Sequence, residues 1–326
     1  MGLVRNTAHM LTRPVLASAS ASLGQCDSCG GELQCALIGV RDPQSGHVFD
    51  IARCTSCGLG HTQPVPGDLT EYYGEPYYGQ RHSFTARFCA RRRVGILLRE
   101  GRHRHGSLLD IGCGEGTFLR AIGKCGYARI VGTETGGAAR LARESGIDVR
   151  ESLEDFEPAS FDAVTQWHTL EHFVSPREVV AGVARLLRDD GLYIVAVPNA
   201  HGLQAQMFGQ GWFHLDVPRH LFHFGPQALI GLLERAGFRI VRWYHQELEY
   251  DVFGWLQSAL NRMLRPQNVL FRSLTGKSAQ SGSPHLLVHY ALGTALAPLA
   301  LAATALGTML GRGGTLIAVA RKTGGA

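Results

Sequence analysis

Leu108-Leu109-Asp110-Ile111-Gly112-Cys113-Gly114-Glu115-Gly116-Thr117-Phe118-Leu119 is the stretch whose reading decides the fold. An apolar run leads into closely spaced glycines and then into a helix-forming segment. The pattern predicts a buried strand, a tight turn and the start of a helix. Glycine at 112, 114 and 116 lets the backbone turn sharply and lets a ligand reach main-chain amides with no Cβ in the way. The helix N-terminus beyond them offers unpaired N–H groups. Asp110 places a carboxylate at the strand end, ahead of the glycines. In the dinucleotide fingerprint G-x-G-x-x-G the glycines are spaced differently and the acid comes later. A carboxylate in this place repels a pyrophosphate and suits a ligand that carries a cationic amine.

The pattern D-x-G-x-G-x-G resembles the first motif of class I S-adenosylmethionine-dependent methyltransferases. That resemblance implies S-adenosylmethionine as cofactor, bound around Asp110, Gly112, Gly114 and Gly116. Glu134 follows the short apolar run ARIVG at 128–132. It occupies the place where doubly wound folds put the acid that holds ribose hydroxyls. The segment GIDVRESL at 146–153 falls where the family contacts adenine and adds Leu153 to the cofactor set. Gln166 completes it. Gln166-Trp167-His168 stands where amide- and base-modifying relatives carry Asn-Pro-Pro-Tyr, which argues against N-methylation of adenine or glutamine.

From 106 onward strands and helices alternate, which predicts a mostly parallel sheet covered on both faces. Strands are expected at 107–111, 128–132, 147–150, 161–166, 191–197, 238–244 and 314–321. The fold class is therefore α/β, a seven-stranded Rossmann-like methyltransferase sheet. "FDAVTQWHTLEHF…LLRDDGLYIVAVPN" carries the likeness to the family furthest; the likeness spans about 26–325 and is strongest over 108–225.

Ahead of that sheet stand Cys26-x2-Cys29 and Cys54-x2-Cys57, each pair followed by glycine. Two such knuckles predict a zinc ribbon over 26–61, closed by four thiolates around a structural Zn. An ion explains how so small a segment holds together without a large core. Residues 33–40 and 47–52 read as its strands. Cys35 and His61 are spare donors. Residues 1–25, rich in Ala, Ser and Gly, read as a disordered leader with no continuous apolar core of a secretory signal. The protein is thus expected in the cytoplasm, where thiols stay reduced. Residues 62–105 form a linker and a helix leading into the methyltransferase domain at 106–326. The linker ends in tyrosines, at 62–78, in a run similar to one found in bacterial methyltransferases with an N-terminal zinc knuckle.

The chemistry is expected after the fourth and fifth strands, at the edge where open α/β sheets bind ligands. His168, Glu171 and His172 follow the fourth strand. They suit removal of a proton from a hydroxyl or an acidic carbon, and they equally suit bracing the helix that follows. The run Trp212-Phe213-His214-Leu215-Asp216-Val217-Pro218-Arg219-His220-Leu221-Phe222-His223-Phe224 follows the fifth. Relatives with "PRHLFHF" place it over the substrate, which marks His220 as a site residue with Arg219 and Asp216 to orient it. Small-RNA and quinone methyltransferases use Glu-x-x-Glu-His with a later histidine as a metal site. This chain has His168-x-x-Glu171-His172 and His220, an imperfect match of ligand types.

Between the sixth and last strands lies a helical, apolar insert, 246–313. It opens with an amphipathic helix at 252–264 and continues into an almost charge-free stretch at 285–310, long enough for the roughly 20 residues of a membrane span. Topology argues against a single crossing, because the last strand must return to the sheet edge that the sixth strand left. Pro298 is expected to split the stretch into two helices. Two readings of the region 250–310 stay open: docking on a membrane surface, peripheral on the inner face of the cell membrane, or a lid or homodimer interface.

The chain of 326 residues has a net charge of +5, and much of the excess lies in the seven arginines of 87–104. These read as a solvated helix face or as a patch for anionic substrate or lipid phosphate. No aromatics interleave with the basic residues, so no specific nucleic acid is expected. The reading is methyl transfer from S-adenosylmethionine to a hydroxyl or acidic carbon of a small-molecule, sugar or lipid-linked acceptor. Two rivals are an RNA methyltransferase with a zinc module and a non-catalytic, membrane-associated cofactor-binding protein.

Overall fold

The computed structural model describes residues 23–72, 83–101, 106–275 and 284–324. Most of the expected leader, the tyrosine-rich residues 73–78, and Arg102 and Arg104 lie outside them. The central sheet is built from β4 (Ser107–Ile111), β5 (Arg129–Thr133), β6 (Asp148–Arg150), β7 (Phe161–Trp167), β8 (Leu187–Pro198), β10 (Phe238–Tyr244) and β11 (Thr315–Lys322), in the order β10-β11-β8-β7-β4-β5-β6. The pairs around β4 are parallel, and β11 runs antiparallel to both its neighbours. Strand order reverses beside β4, which opens a crevice at the C-terminal ends of β4 and β7. The expected strands are all present, with shifted ends; β8 starts earlier, at Leu187.

Continuous apolar runs suit strands covered on both faces. Leu109, Ile111, Tyr193 and Val195 face α4 (Pro176–Leu186) and α6 (Pro226–Arg235). Leu108, Ile194 and Ala196 face α1 (Ser83–Glu100), α2 (Thr117–Ile122) and α3 (Gly136–Glu144). Alternation along each strand assigns neighbouring residues to opposite layers.

The cysteine-bearing segment folds as β1 (Leu33–Arg41), β2 (Val48–Cys54) and β3 (Gly60–Gln63). Its antiparallel sheet is completed by β9 (Phe222–His223), which comes from the histidine-rich run after β8. The ribbon therefore shares a sheet with the segment expected over the substrate.

Beyond β10 come α7 (Leu248–Met263), α8 (Val269–Leu274) and α9 (Pro284–Met309). The split expected at Pro298 does not occur: α9 is one helix of 26 residues with the proline inside it. Proline removes one backbone hydrogen bond. Here its ring lies at an exposed position, while the helical turns on both sides pack the same face against the rest of the fold. α7 begins earlier than the helix expected at 252–264.

Candidate active site

The glycine turn takes the backbone that its residues permit. Gly112, Gly114 and Gly116 have φ of 71°, 56° and 76°, a region that side chains with a Cβ rarely adopt. A Cβ on Gly112 would lie 2.3 Å from Thr169 Cγ2, so the turn is pressed against the segment after β7. A Cβ on Gly114 would meet nothing within 4 Å, so that peptide faces open space. Glu134, at the end of β5, accepts the Gly114 N–H at 2.9 Å. Asp110 is buried and accepts the Thr165 hydroxyl at 2.6 Å. Burial pushes its carboxyl up to about 7, against the opposing pull of that hydroxyl. A cationic amine beside it would restore the charged form. Asp110, the glycines and Glu134 thus line one crevice.

Leu153 and Gln166 point elsewhere. Leu153 is half-buried against Gly182 of α4. Gln166, one residue past Thr165, faces the opposite layer, where its Oε1 accepts the Tyr193 hydroxyl at 2.5 Å. Strand alternation made that orientation readable in advance.

The segment after β7 is locked over the crevice, with the Thr169 hydroxyl on the Ile111 carbonyl at 3.1 Å. His168 takes a left-handed φ of 53°, which a bulky residue adopts only where its surroundings impose it. Its Nε2–H donates to Glu247 at 2.6 Å and its ring stacks on Tyr250 with centroids 4.1 Å apart. Glu247 is buried and also pairs with Arg93 Nε at 2.7 Å. Burial alone would raise the Glu247 carboxyl, but Arg93 and His168 hold it well below the usual carboxylate range.

Glu171, His172 and His220 converge. Their donor atoms lie within 4.8 Å of one another. Glu171 is 1 % exposed, and neither of its oxygens is hydrogen-bonded to another side chain. His168 Nδ1 and His220 Nε2 stand 4.0 and 3.9 Å from it. Burial pushes the Glu171 carboxyl up to about 8. His172 Nδ1–H donates to the Arg219 carbonyl at 2.9 Å, and His220 Nδ1–H to the His214 carbonyl at 2.8 Å. Those bonds fix the neutral tautomer and leave each Nε2 as a lone-pair donor. Burial lowers both imidazoles, His220 far below its ordinary range. The three side chains together can accept a proton or hold a divalent cation.

Arg219 orients this cluster from beneath. It pairs with Asp216 at 2.6 Å and with Asp42 of the ribbon at 2.9 Å. Thr62 of β3 adds a hydroxyl bond to the His220 carbonyl at 2.6 Å, and its N–H donates to the Leu221 carbonyl.

At the far end of the ribbon the knuckle cysteines meet. Cys26 and Cys57 sulfurs stand 3.6 Å apart, and those of Cys29 and Cys54 3.5 Å. Four thiolates around one zinc at about 2.3 Å would sit at similar separations. Gly30 and Gly58, each following a knuckle, take φ of 74° and 76°. Cys35 is exposed and outside the cluster, and His61 faces Asp27 at 3.4 Å.

Arg93, Glu247 and Tyr250 were not singled out in the sequence. Arg93 departs from the solvated arginine face: its side chain is 11 % exposed and lies over the Trp167 ring at 5.0 Å, whereas Arg87, Arg91 and Arg99 are exposed. Its helical spacing from buried Cys89, Ile96 and Leu97 was the available signal. Glu247 and Tyr250 carry no comparable signal, since only the tertiary fold brings α7 back over β7.

Residues 80–242 match a family model described as a methyltransferase domain. The ubiquinone biosynthesis O-methyltransferase of Idiomarina loihiensis is 32% identical over 146 residues, covering 40% of this chain and 60% of that protein. Its counterpart from Burkholderia lata is 36% identical over 151 residues, 41% of this chain and 64% of that one. The chain therefore spans less than two thirds of the length of these relatives. A solved S-adenosylmethionine-dependent methyltransferase from Archaeoglobus fulgidus is 20% identical, with 72% of this chain and 94% of that one covered at a TM-score of 0.45.

Proposed function

The chain belongs to the methyltransferase-domain family, and on that premise we propose that it transfers a methyl group from S-adenosylmethionine to a hydroxyl or acidic carbon of a small-molecule acceptor. The observation that carries the reading is Glu171, buried without a hydrogen-bonded side-chain partner beside His172 and His220, two residues past Thr169, which packs on the glycine turn. The relatives named as O-methyltransferases favour a hydroxyl acceptor.

Asp110, Gly114 and Glu134 would hold the cofactor, and the open space at Gly114 leaves room for it. When bound, S-adenosylmethionine supplies an electrophilic methyl on a sulfonium. The protein's own work is to position the acceptor oxygen and take its proton. Glu171 suits that task in its ionised form, which dominates above about pH 8: burial raises its carboxyl to about 8, so the carboxylate, once formed, is a far stronger base than an ordinary one. Neutral His172 and His220 would orient the acceptor through their Nε2 atoms. His168, tied to Glu247 and Tyr250, faces Glu171 and would hold it in place.

A second reading of the same cluster is a divalent cation on Glu171, His172 and His220. It is favoured by the carbonyl-anchored Nδ1 atoms, an arrangement typical of metal-ligating histidines. Such an ion would polarise the acceptor oxygen. In the ribbon, Cys26, Cys29, Cys54 and Cys57 fit a structural Zn whose closed thiolate shell leaves no open position. Free, reduced thiols of this kind are usual in the cytoplasm, which supports assigning the protein there.

The test is S-adenosylhomocysteine release across phenolic, enolic and sugar acceptors, with and without added divalent cation, for the wild type and Glu171→Gln. Turnover by the wild type that Glu171→Gln lowers by about a hundredfold or more supports the reading. Cofactor binding with no turnover on any acceptor overturns it.

A further inference from the structure

α9 is inside out for a helix in water. The residues it buries are small or polar: His289, Ala300 and Thr304, together with Gly293 and Gly307. They recur at helical spacing on one stripe, which lies along α7 and α8. A Cβ on Gly293 would already meet Leu270 of α8 at 3.3 Å. Leu286, Leu292 and Leu296 are half-buried, and the other large apolar side chains point outward: Leu287 is 71 % exposed, Leu299 66 % and Met309 84 %, and Leu301, Leu306 and Leu310 are each more than half exposed. In water the hydrophobic effect drives the opposite arrangement. Small residues at the helix contact with leucines outside is the pattern of helices surrounded by hydrocarbon.

Charge identifies the occupant of that face. After Asp251 the chain carries no further Asp or Glu. Between β10 and β11 five cations, Arg262, Arg265, Arg272, Lys277 and Arg312, stand against three acids, Glu247, Glu249 and Asp251, and all three acids come before the first of the cations. A twofold pairing through α9 would bring two copies of a segment without Asp or Glu after residue 251 together, cation against cation. An anionic lipid surface compensates them and accepts the leucines.

Leu286–Met309 is long and apolar enough to cross a membrane. Its attachments exclude a crossing. α9 runs along α7, whose start carries Glu247 and Tyr250 at the active site. Its far end leads through Gly313, held by Asn199 Nδ2, straight into β11. A helix fastened at its end and along its length to the folded domain can lie in the interface and cannot span.

We propose that α9 is a monotopic docking surface for anionic phospholipid bilayers, with its leucine face in the acyl boundary and the exposed Arg262, Arg265 and Arg312 free to reach the headgroups. α9 packs along α7, and Glu247 and Tyr250 at the start of α7 hold His168, so an acceptor with an apolar portion would approach the site from the membrane side. The docking itself does not depend on which acceptor is methylated, nor on methyl transfer at all.

The experiment is vesicle flotation of the full-length protein with phosphatidylcholine alone and with phosphatidylcholine mixed with phosphatidylglycerol. The protein should float with the mixed vesicles, and salt should weaken that binding. Leu299→Glu with Leu306→Glu should lower the bound fraction at least about tenfold, with the thermal unfolding midpoint unchanged because both positions are exposed. Arg262→Gln should lower binding to the mixed vesicles by about fivefold. Wild-type protein that ignores both vesicles, or a double variant that binds as well as the wild type, overturns the proposal. So does a stable wild-type dimer in light scattering that the double variant converts to monomer.

Discussion

Asp42→Asn tests whether the ribbon positions the active site. Asp42 is fully buried in the turn between β1 and β2. Its Oδ2 accepts the Ser45 N–H and hydroxyl at 3.0 and 2.7 Å, and its Oδ1 accepts Gln44 N–H at 3.2 Å and Arg219 Nη2 at 2.9 Å. Asparagine keeps one oxygen and turns a donor towards Ser45. The Ser45 N–H bond is lost at about 1 kcal/mol, the Ser45 hydroxyl turns to accept from the amide, and the bond to Arg219 loses about 1 kcal/mol of charge assistance. The expected destabilisation is about 2 kcal/mol, a shift of the urea midpoint with unchanged slope. Arg219 keeps Asp216, so the domain should still fold. The effect on rate comes through the backbone. The Arg219 carbonyl holds His172, and the next residue is His220. A displacement of about 1 Å there costs on the order of a hundredfold. Methyl transfer to the best acceptor should fall by about ten- to a hundredfold, with S-adenosylmethionine affinity by calorimetry unchanged. Glu144→Gln, in an exposed pair with Arg140, is the control and should cost less than about 0.5 kcal/mol. If Asp42→Asn matches that control in stability and turnover, the ribbon does not position the site.

Three further outcomes are expected. Cys54→Ser should abolish a stoichiometric zinc signal in elemental analysis and lower turnover as well, because β3 and β9 share a sheet beside His220. Gly112→Ala should cost about 2–4 kcal/mol and eliminate cofactor binding, since its Cβ meets Thr169 at a positive φ; wild-type calorimetric affinity would refute this. For Glu171, the folded carboxyl titrates near 8 against 4.5 for the ordinary value. Between those values the folded chain keeps a proton that the unfolded chain has lost, so stability falls as pH rises through that window. Glu171→Gln should flatten the slope of unfolding free energy against pH in buffers without added divalent ions, and parallel curves for the two proteins would count against a buried, protonated Glu171.

The glycine turn was legible because its determinants are local. Glycines that must take positive φ and an acid at a strand end lie within seven residues of one another, Asp110 to Gly116. The knuckle cysteines were legible for the same reason, since spacing alone sets each turn. The histidines were found as residues but not in their roles. His168 is held by Glu247 and Tyr250, and nothing near residue 168 announces them. Arg93 looked like one more surface arginine until α1 turned it inward.

The amino-acid sequence alone thus determined the strand–turn–helix at the crevice, the alternation behind the doubly wound sheet, the cysteine knuckles and the apolar length of α9. Each rests on contacts among near neighbours in the chain, where backbone preference and periodicity suffice. Only the tertiary structure decided that the ribbon shares a sheet with the histidine run, that Asp42 and Arg219 meet across 177 residues, and that α9 turns its leucines outward past Pro298. Those outcomes depend on which surfaces meet when distant segments pack, and burial of charge and of apolar area, rather than local propensity, selects among them.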